Sequence, residues 1–234
     1  MQSLKTLLAV FEPPKLTPEQ KASAAEWERK ERRRIRAERL GRACVPPMFR
    51  AADIRRCDAK VQRYSASLSP MGGRECAYGA SSSDLGKGLV LQGKVGRGKT
   101  YSACAVLLDH LEDYPVRFAT MQGILRDIQG AFNGVERMGD VMGRYRNVRL
   151  LVIDDFGKEQ PTKWSLPVMF EIIDGRYSQC KPTIFTTQYR GIELAKRLTV
   201  DDDRACAEAI ISRMATCETV IMNGENRRSS CMTA

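Results

Sequence analysis

One stretch limits the folds open to this chain more than any other: Gly93-Lys94-Val95-Gly96-Arg97-Gly98-Lys99-Thr100. It fits the spacing G-x-x-x-x-G-K-[ST]. Glycines let the backbone turn tightly and point successive N–H groups inward, which makes a concave anion site free of side chains. Lys99 supplies a point charge for the β- and γ-phosphates of a nucleotide such as ATP, and Thr100 a hydroxyl for Mg²⁺. Tyr101 follows and belongs to the same candidate binding site. A helix that begins here adds the positive end of its dipole. Such a cradle needs a strand before it and a helix after it. Gly88-Leu89-Val90-Leu91-Gln92 reads as a buried strand, and Tyr101 to Leu111, free of Gly and Pro, as a buried helix.

The pattern then alternates. Val116–Thr120 reads as a second strand, and Gln122–Phe132 as a helix with Ile124, Leu125, Ile128 and Phe132 along one face. A glycine-punctuated stretch, 133–147, leads to the apolar run Leu150–Ile153. Residues 165–177 read as a helix, Thr183–Thr186 as a strand, 203–216 as a helix and Glu218–Met222 as a fifth strand. Alternation at this spacing predicts an α/β fold: a parallel five-stranded sheet with helices on both faces.

The third strand ends in Asp154-Asp155. A strand of this kind carries its last residues to the carboxyl edge of the sheet, beside the phosphate cradle. Asp154 is there the expected second metal residue, with Thr100, and Asp155 the expected group for polarising an attacking water.

The chain carries 38 Lys and Arg against 28 Asp and Glu, a formal charge of +10. Residues 1–60 hold 15 of those cations and eight of the acids, so most of the excess sits in the first quarter. That asymmetry points to a polyanionic or acidic partner. Residues 1–16 read as weakly ordered. Thr17-Pro18-Glu19-Gln20 then predicts a helix start, and Gly41 a stop. This helix is thinly apolar, with Trp27, Ile35 and Leu40, and reads as a projecting docking arm. Val45-Pro46-Pro47 breaks the chain, 51–66 reads as a helix and 67–87 as a Ser- and Gly-rich loop. The expected domains are an arm at 1–44, a linker and helical approach at 45–87, a core at 88–224 and a tail at 225–234. No apolar run approaches the roughly 18 residues of a membrane helix, and no secretory signal is legible, so a cytoplasmic location is expected. The eight scattered cysteines contain no C-x-x-C pair and read as reduced thiols rather than a zinc site.

Taken in order, the motifs become familiar. From about Val45 to Arg228 the chain resembles the AAA+ helicase-loader ATPases, the DnaC/DnaI/IstB group. The resemblance rests on Val45-Pro46-Pro47-Met48-Phe49-Arg50, on the glycine loop and on Leu151-Val152-Ile153-Asp154-Asp155-Phe156-Gly157. It continues through Arg176-Tyr177, Lys181–Gln188, Ile211-Ser212-Arg213-Met214 and Asn223–Arg228. It implies an AAA+ core and ATP hydrolysis with Mg²⁺. Gln188 falls where the family usually has Asn, between the acids and the γ-phosphate. Asp155 stands where Glu is common. Arg213 matches the family's arginine finger, which acts on a neighbour's nucleotide and implies head-to-tail self-association. Too few residues follow it for a C-terminal lid domain. Phe132 and Thr162-Lys163-Trp164 match positions that grip single-stranded DNA.

The expected function is therefore an ATP-hydrolysing replicative helicase loader, whose basic arm docks on a hexameric DNA helicase. An IstB-like transposition ATPase and an ATP-binding adaptor with little hydrolysis are the alternatives within the group. A small-molecule kinase would need a phosphate-closing lid and an acceptor pocket, and the sequence offers neither.

Overall fold

The computed structural model describes residues 17–68, 87–132, 134, 136–201, 204–224 and 226. The expectations for 1–16, for most of the 67–87 loop, for the tail beyond Asn226 and for Arg227 and Arg228 lie outside the described residues. The described residues divide into two units, with the boundary between Glu38 and Arg39.

Helix α1 spans Pro18–Ala43. Its start is a reciprocal cap: the Gln20 N–H donates to Thr17 Oγ1 at 3.3 Å and the Thr17 N–H to Gln20 Oε1 at 2.9 Å. Gly41 does not end it. The helix runs on to Ala43, and Cys44, at φ 56°, makes the turn instead. Buried Ala43 and Val45 hold this last stretch in the core, which outweighs glycine's low helical propensity. The expected 51–66 helix is shorter. A 3₁₀ turn at Ile54–Arg56 precedes α2, Ala59–Ser67, which begins at the Asp58 cap.

The strands are β1 (Leu89–Gln92), β2 (Val116–Thr120), β3 (Leu150–Asp154), β4 (Thr183–Thr187) and β5 (Glu218–Ile221). They pair in parallel in the order β2-β3-β4-β1-β5. The glycine loop connects β1 to α3, Lys99–Asp109. Helices α4 (Met121–Phe132) and α5 (Met138–Asn147) lie between β2 and β3. Helix α6 (Ser165–Ser178) precedes β4, and α7 (Gly191–Leu198) and α8 (Ala205–Ala215) precede β5. Among these, α5 and α7 have no counterpart in the sequence reading.

Strand residues alternate between two cores. Leu89, Leu91, Leu150, Val152, Ile184 and Val220 pack with α2 and α3. Val90, Leu151, Ile153 and Phe185 pack with α4, α5, α6 and α8. A continuous apolar run is what a strand covered on both faces requires. Each fully buried Leu or Ile contributes about 1.5–3 kcal/mol. The sheet is tight at Gly88: a Cβ there would lie 2.6 Å from both Thr183 O and Cys217 Sγ. Of the described cysteines, 44, 57, 104, 206 and 217 are reduced, as expected. Cys180 departs from that reading: it is disulfide-bonded, on a partly exposed surface turn where a thiol is reachable.

Candidate nucleotide site

Parallel strands with crossover helices bring their carboxyl ends to one edge, and the two chemistry-bearing loops meet there. A cavity of about 480 Å³ is lined by Val95–Tyr101 from the glycine loop, by Asp154, Asp155 and Lys158 after β3, and by Gln188 after β4. Met48, Phe49 and Arg56 close its other side. Gly96 and Gly98 adopt φ of 79° and 81°, a region that a side chain disfavours, so the loop's bend depends on these glycines. A Cβ on Gly96 would also meet Asn226 Oδ1 at 1.8 Å.

The predicted residues converge. Lys99, at the first turn of α3, donates its ammonium to Gly93 O at 2.7 Å and to Lys94 O at 2.9 Å. Thr100 Oγ1 donates to Asp154 Oδ1 at 3.0 Å, and Thr186 Oγ1 donates to the same oxygen at 2.6 Å. Burial raises the Asp154 proton affinity. The Thr186 and Thr100 hydroxyls oppose that shift, Asp155 adds to it and Lys158 offsets part of it. Hydroxyl and carboxylate oxygens side by side are the donors that suit Mg²⁺. No cluster of three or more His, Cys, Asp or Glu able to hold a metal exists among the described residues, so a metal here would need phosphate or water oxygens as well.

Asp155 sits at φ 56°, with its N–H donated to Thr186 Oγ1 at 2.9 Å. Its carboxylate pairs with Lys158 at 2.7 Å. The Gln188 amide turns to Tyr189, donating to its hydroxyl at 2.7 Å. Tyr101 Oη accepts from the Asp53 N–H at 3.1 Å and so ties the 45–57 segment to the glycine helix.

The remaining predicted residues lie elsewhere. Arg213, in the last turn of α8, donates to Asp174 Oδ1 at 2.9 Å and lies over the rings of Phe170 and Tyr177. It lines a separate cavity of about 350 Å³ with Lys87, Gly88 and Thr183, where β1 and β4 begin. Phe132 is 56% exposed and meets Trp164 edge to face at 5.8 Å. Thr162 Oγ1 accepts from the Ser165 N–H at 3.1 Å at the start of α6. Lys163 pairs with Asp201 at 2.9 Å.

Arg56, Lys158 and Tyr189 stand in none of the motifs read from the sequence, and Met48, Phe49 and Thr186 stand in motifs that gave them no role at the site. Lys158, three residues after an acid, carried a local signal. The others reach the site only through the fold.

Comparison with known proteins follows the same lines. A profile of the family described as IstB-like ATP binding protein matches residues 73–232. The replicative helicase loader DnaI of Bacillus subtilis is 27% identical over 150 residues, which cover 61% of this chain and 48% of that protein. DnaC of Escherichia coli, also a replicative helicase loader, is 28% identical over 144 residues, 60% of this chain and 56% of its own. A putative insertion-sequence ATP-binding protein of Sinorhizobium fredii is 28% identical over 141 residues, 58% and 54%. The chain thus spans about half the length of these curated relatives. Crystal structures of DnaI (TM-score 0.61, 22% identity, covering 79% of this chain and 95% of that one) and of the DnaC helicase loader (0.59, 21%, 76% and 100%) share the fold. So does AMPPCP-bound DnaA from Aquifex aeolicus (0.57, 16%, 81% and 55%). With a glycine cradle facing the acids of β3, on a sheet that these solved structures share, the chain belongs to the IstB-like ATP-binding family of the DnaC/DnaI/IstB group.

Proposed function

We propose that this protein is an ATP-hydrolysing replicative helicase loader. The observation that carries the ATPase part is the convergence of Lys99, Thr100 and Asp154 on one cavity. In this reading Lys99 leaves the loop carbonyls for the β- and γ-phosphates. Thr100 and Asp154 hold Mg²⁺, which neutralises phosphate charge when bound. Asp155, released from Lys158, orients the attacking water, and Gln188 meets the γ-phosphate. Arg213 acts on the nucleotide of a neighbouring copy, a role supported by its place on a separate cavity, where β1 and β4 begin, rather than at the nucleotide cavity of its own chain. Its loss should stop hydrolysis while nucleotide affinity holds. Mixing Arg213→Ala with Lys99→Ala protein should then restore part of the turnover, and a mixture as inactive as either variant excludes the trans role.

The loader part rests on the likeness to DnaI and DnaC and on the basic arm, α1, where Trp27 is 67% exposed. The arm would dock on a hexameric DNA helicase in the cytoplasm. Phe132 and Trp164 would stack on bases of single-stranded DNA, with Lys163 near a phosphate. The deciding experiment is co-purification with a replicative helicase, with and without nucleotide. The full chain should retain the helicase, and a variant lacking residues 1–40 should lose it while still binding ATP. Retention by the truncated protein would overturn the arm's role. The family description and the Sinorhizobium relative favour a second reading, a transposition ATPase. A preference for duplex over single-stranded DNA would select it.

A further inference from the structure

A chain of contacts runs from Gln188 at the nucleotide cavity to the loop that carries Trp164. Gln188 donates its amide to Tyr189 Oη at 2.7 Å. The guanidinium of Arg197, from α7, lies 4.3 Å over the centre of the Tyr189 ring. Its Nε donates to Gly157 O at 2.7 Å. Gly157 has φ 88°, and a Cβ there would lie 3.0 Å from the Tyr189 ring and 2.3 Å from Leu194, so the backbone rests directly on that ring. The Gly157 N–H is held by the buried Glu159 carboxylate at 3.0 Å. From Glu159 the loop follows α4, sharing a surface cleft with Gln122 and Gln129, and ends at Trp164 against Phe132.

We propose that Tyr189 and Arg197 are positioning residues that couple the bound nucleotide to the presentation of the Trp164–Phe132 pair. The two-state element is the Gln188 amide. It either donates to the Tyr189 hydroxyl or turns to a terminal phosphate. A phosphate oxygen is charged and accepts a hydrogen bond roughly twice as strong as a neutral phenol does. A nucleoside triphosphate therefore draws the amide away and frees one end of the ring beneath Arg197. A diphosphate lacks that acceptor and leaves the amide on Tyr189. Arg197 fits the task because a planar guanidinium both stacks and donates in a fixed direction. The coupling acts through this differential contact.

This inference rests on the ATP-binding reading above but not on DNA. The chain has two tryptophans. Trp27→Phe leaves Trp164 as the sole reporter in an otherwise intact protein. With Mg²⁺ present, Trp164 emission should differ between a non-hydrolysable ATP analogue and ADP. In Arg197→Met the difference should fall at least about threefold, while affinity for each nucleotide stays within about threefold, under 0.7 kcal/mol. Arg197→Lys, which keeps only the charge, should behave like Arg197→Met. Tyr189→Phe, which removes one hydroxyl and spares the packing, should give the same emission with either nucleotide. An undiminished difference in Arg197→Met and Tyr189→Phe overturns the proposal. So does a parent protein that binds both nucleotides with no change in Trp164. A parent that binds neither sinks the ATP reading along with it. Failure to bind single-stranded DNA, measured on the same proteins, would count against the loader reading alone.

Discussion

The two edges of the sheet each bury a charge, and they treat it in opposite ways. Where the strands begin, the Arg176 guanidinium is fully buried. It donates to Thr183 Oγ1 at 2.8 Å and to the carbonyls of Tyr145, Val148 and Pro182 at 2.9, 2.7 and 2.7 Å. It thereby closes the ends of α5, β3 and β4. Where the strands end, Asp154 has two hydroxyl donors beside it and an open cavity in front. A buried charge with its hydrogen bonds complete belongs to the architecture. One held by hydroxyls that face a cavity keeps room for a cation. Satisfaction, rather than burial, separates a structural charge from a chemical one.

That contrast can be broken from either side. Arg176→Met should have the largest effect, because it strands several buried carbonyls at once. A loss of about 3–5 kcal/mol in chemical denaturation is expected, with nucleotide affinity falling only through the unfolded fraction. A Met variant as stable as the parent would mean that the carbonyls find other partners. Lys99→Ala should leave stability nearly unchanged and weaken ATP at least about 100-fold, or 2.8 kcal/mol, in calorimetry.

Asp154→Asn should act in two directions. Turnover should fall at least about tenfold, or 1.4 kcal/mol of barrier. The nucleotide-free variant should nevertheless melt higher than the parent at neutral pH. The sign follows from the raised proton affinity of Asp154. Its protonated form supports the fold below the unfolded carboxylate value, and that support is lost as pH rises through the folded value. The advantage of Asn should therefore narrow on acidification. A difference in melting temperature that does not change with pH would remove burial as the cause.

The site was legible in the sequence where its signals are local. The glycine loop and the Asp154-Asp155 end of β3 are runs whose spacing alone dictates geometry, and the strands around them are continuous apolar segments. What escaped is non-local or weakly patterned. Helix α5 contains Gly139 and Gly143, and it stands because Val141, Met142 and Tyr145 bury one face. Helix α7 is short, with Leu194 and Leu198 as its buried contacts. Gly41 carries a stop signal that packing overrode. Tyr189 and Arg197 are eight positions apart in sequence, yet each gains its role only once Gly157 is folded against them.

The strand that precedes the phosphate cradle also has a schedule. Its neighbours in the sheet are β4 and β5, both made roughly 90 residues or more after it. On the ribosome, a nascent chain that has already exposed its glycine bend has nothing on either flank of β1 until residues beyond 183 emerge. Nucleotide affinity should therefore arrive abruptly, only once β4 and β5 have emerged, which makes a nascent chain that stops short of them incapable of competing for ATP.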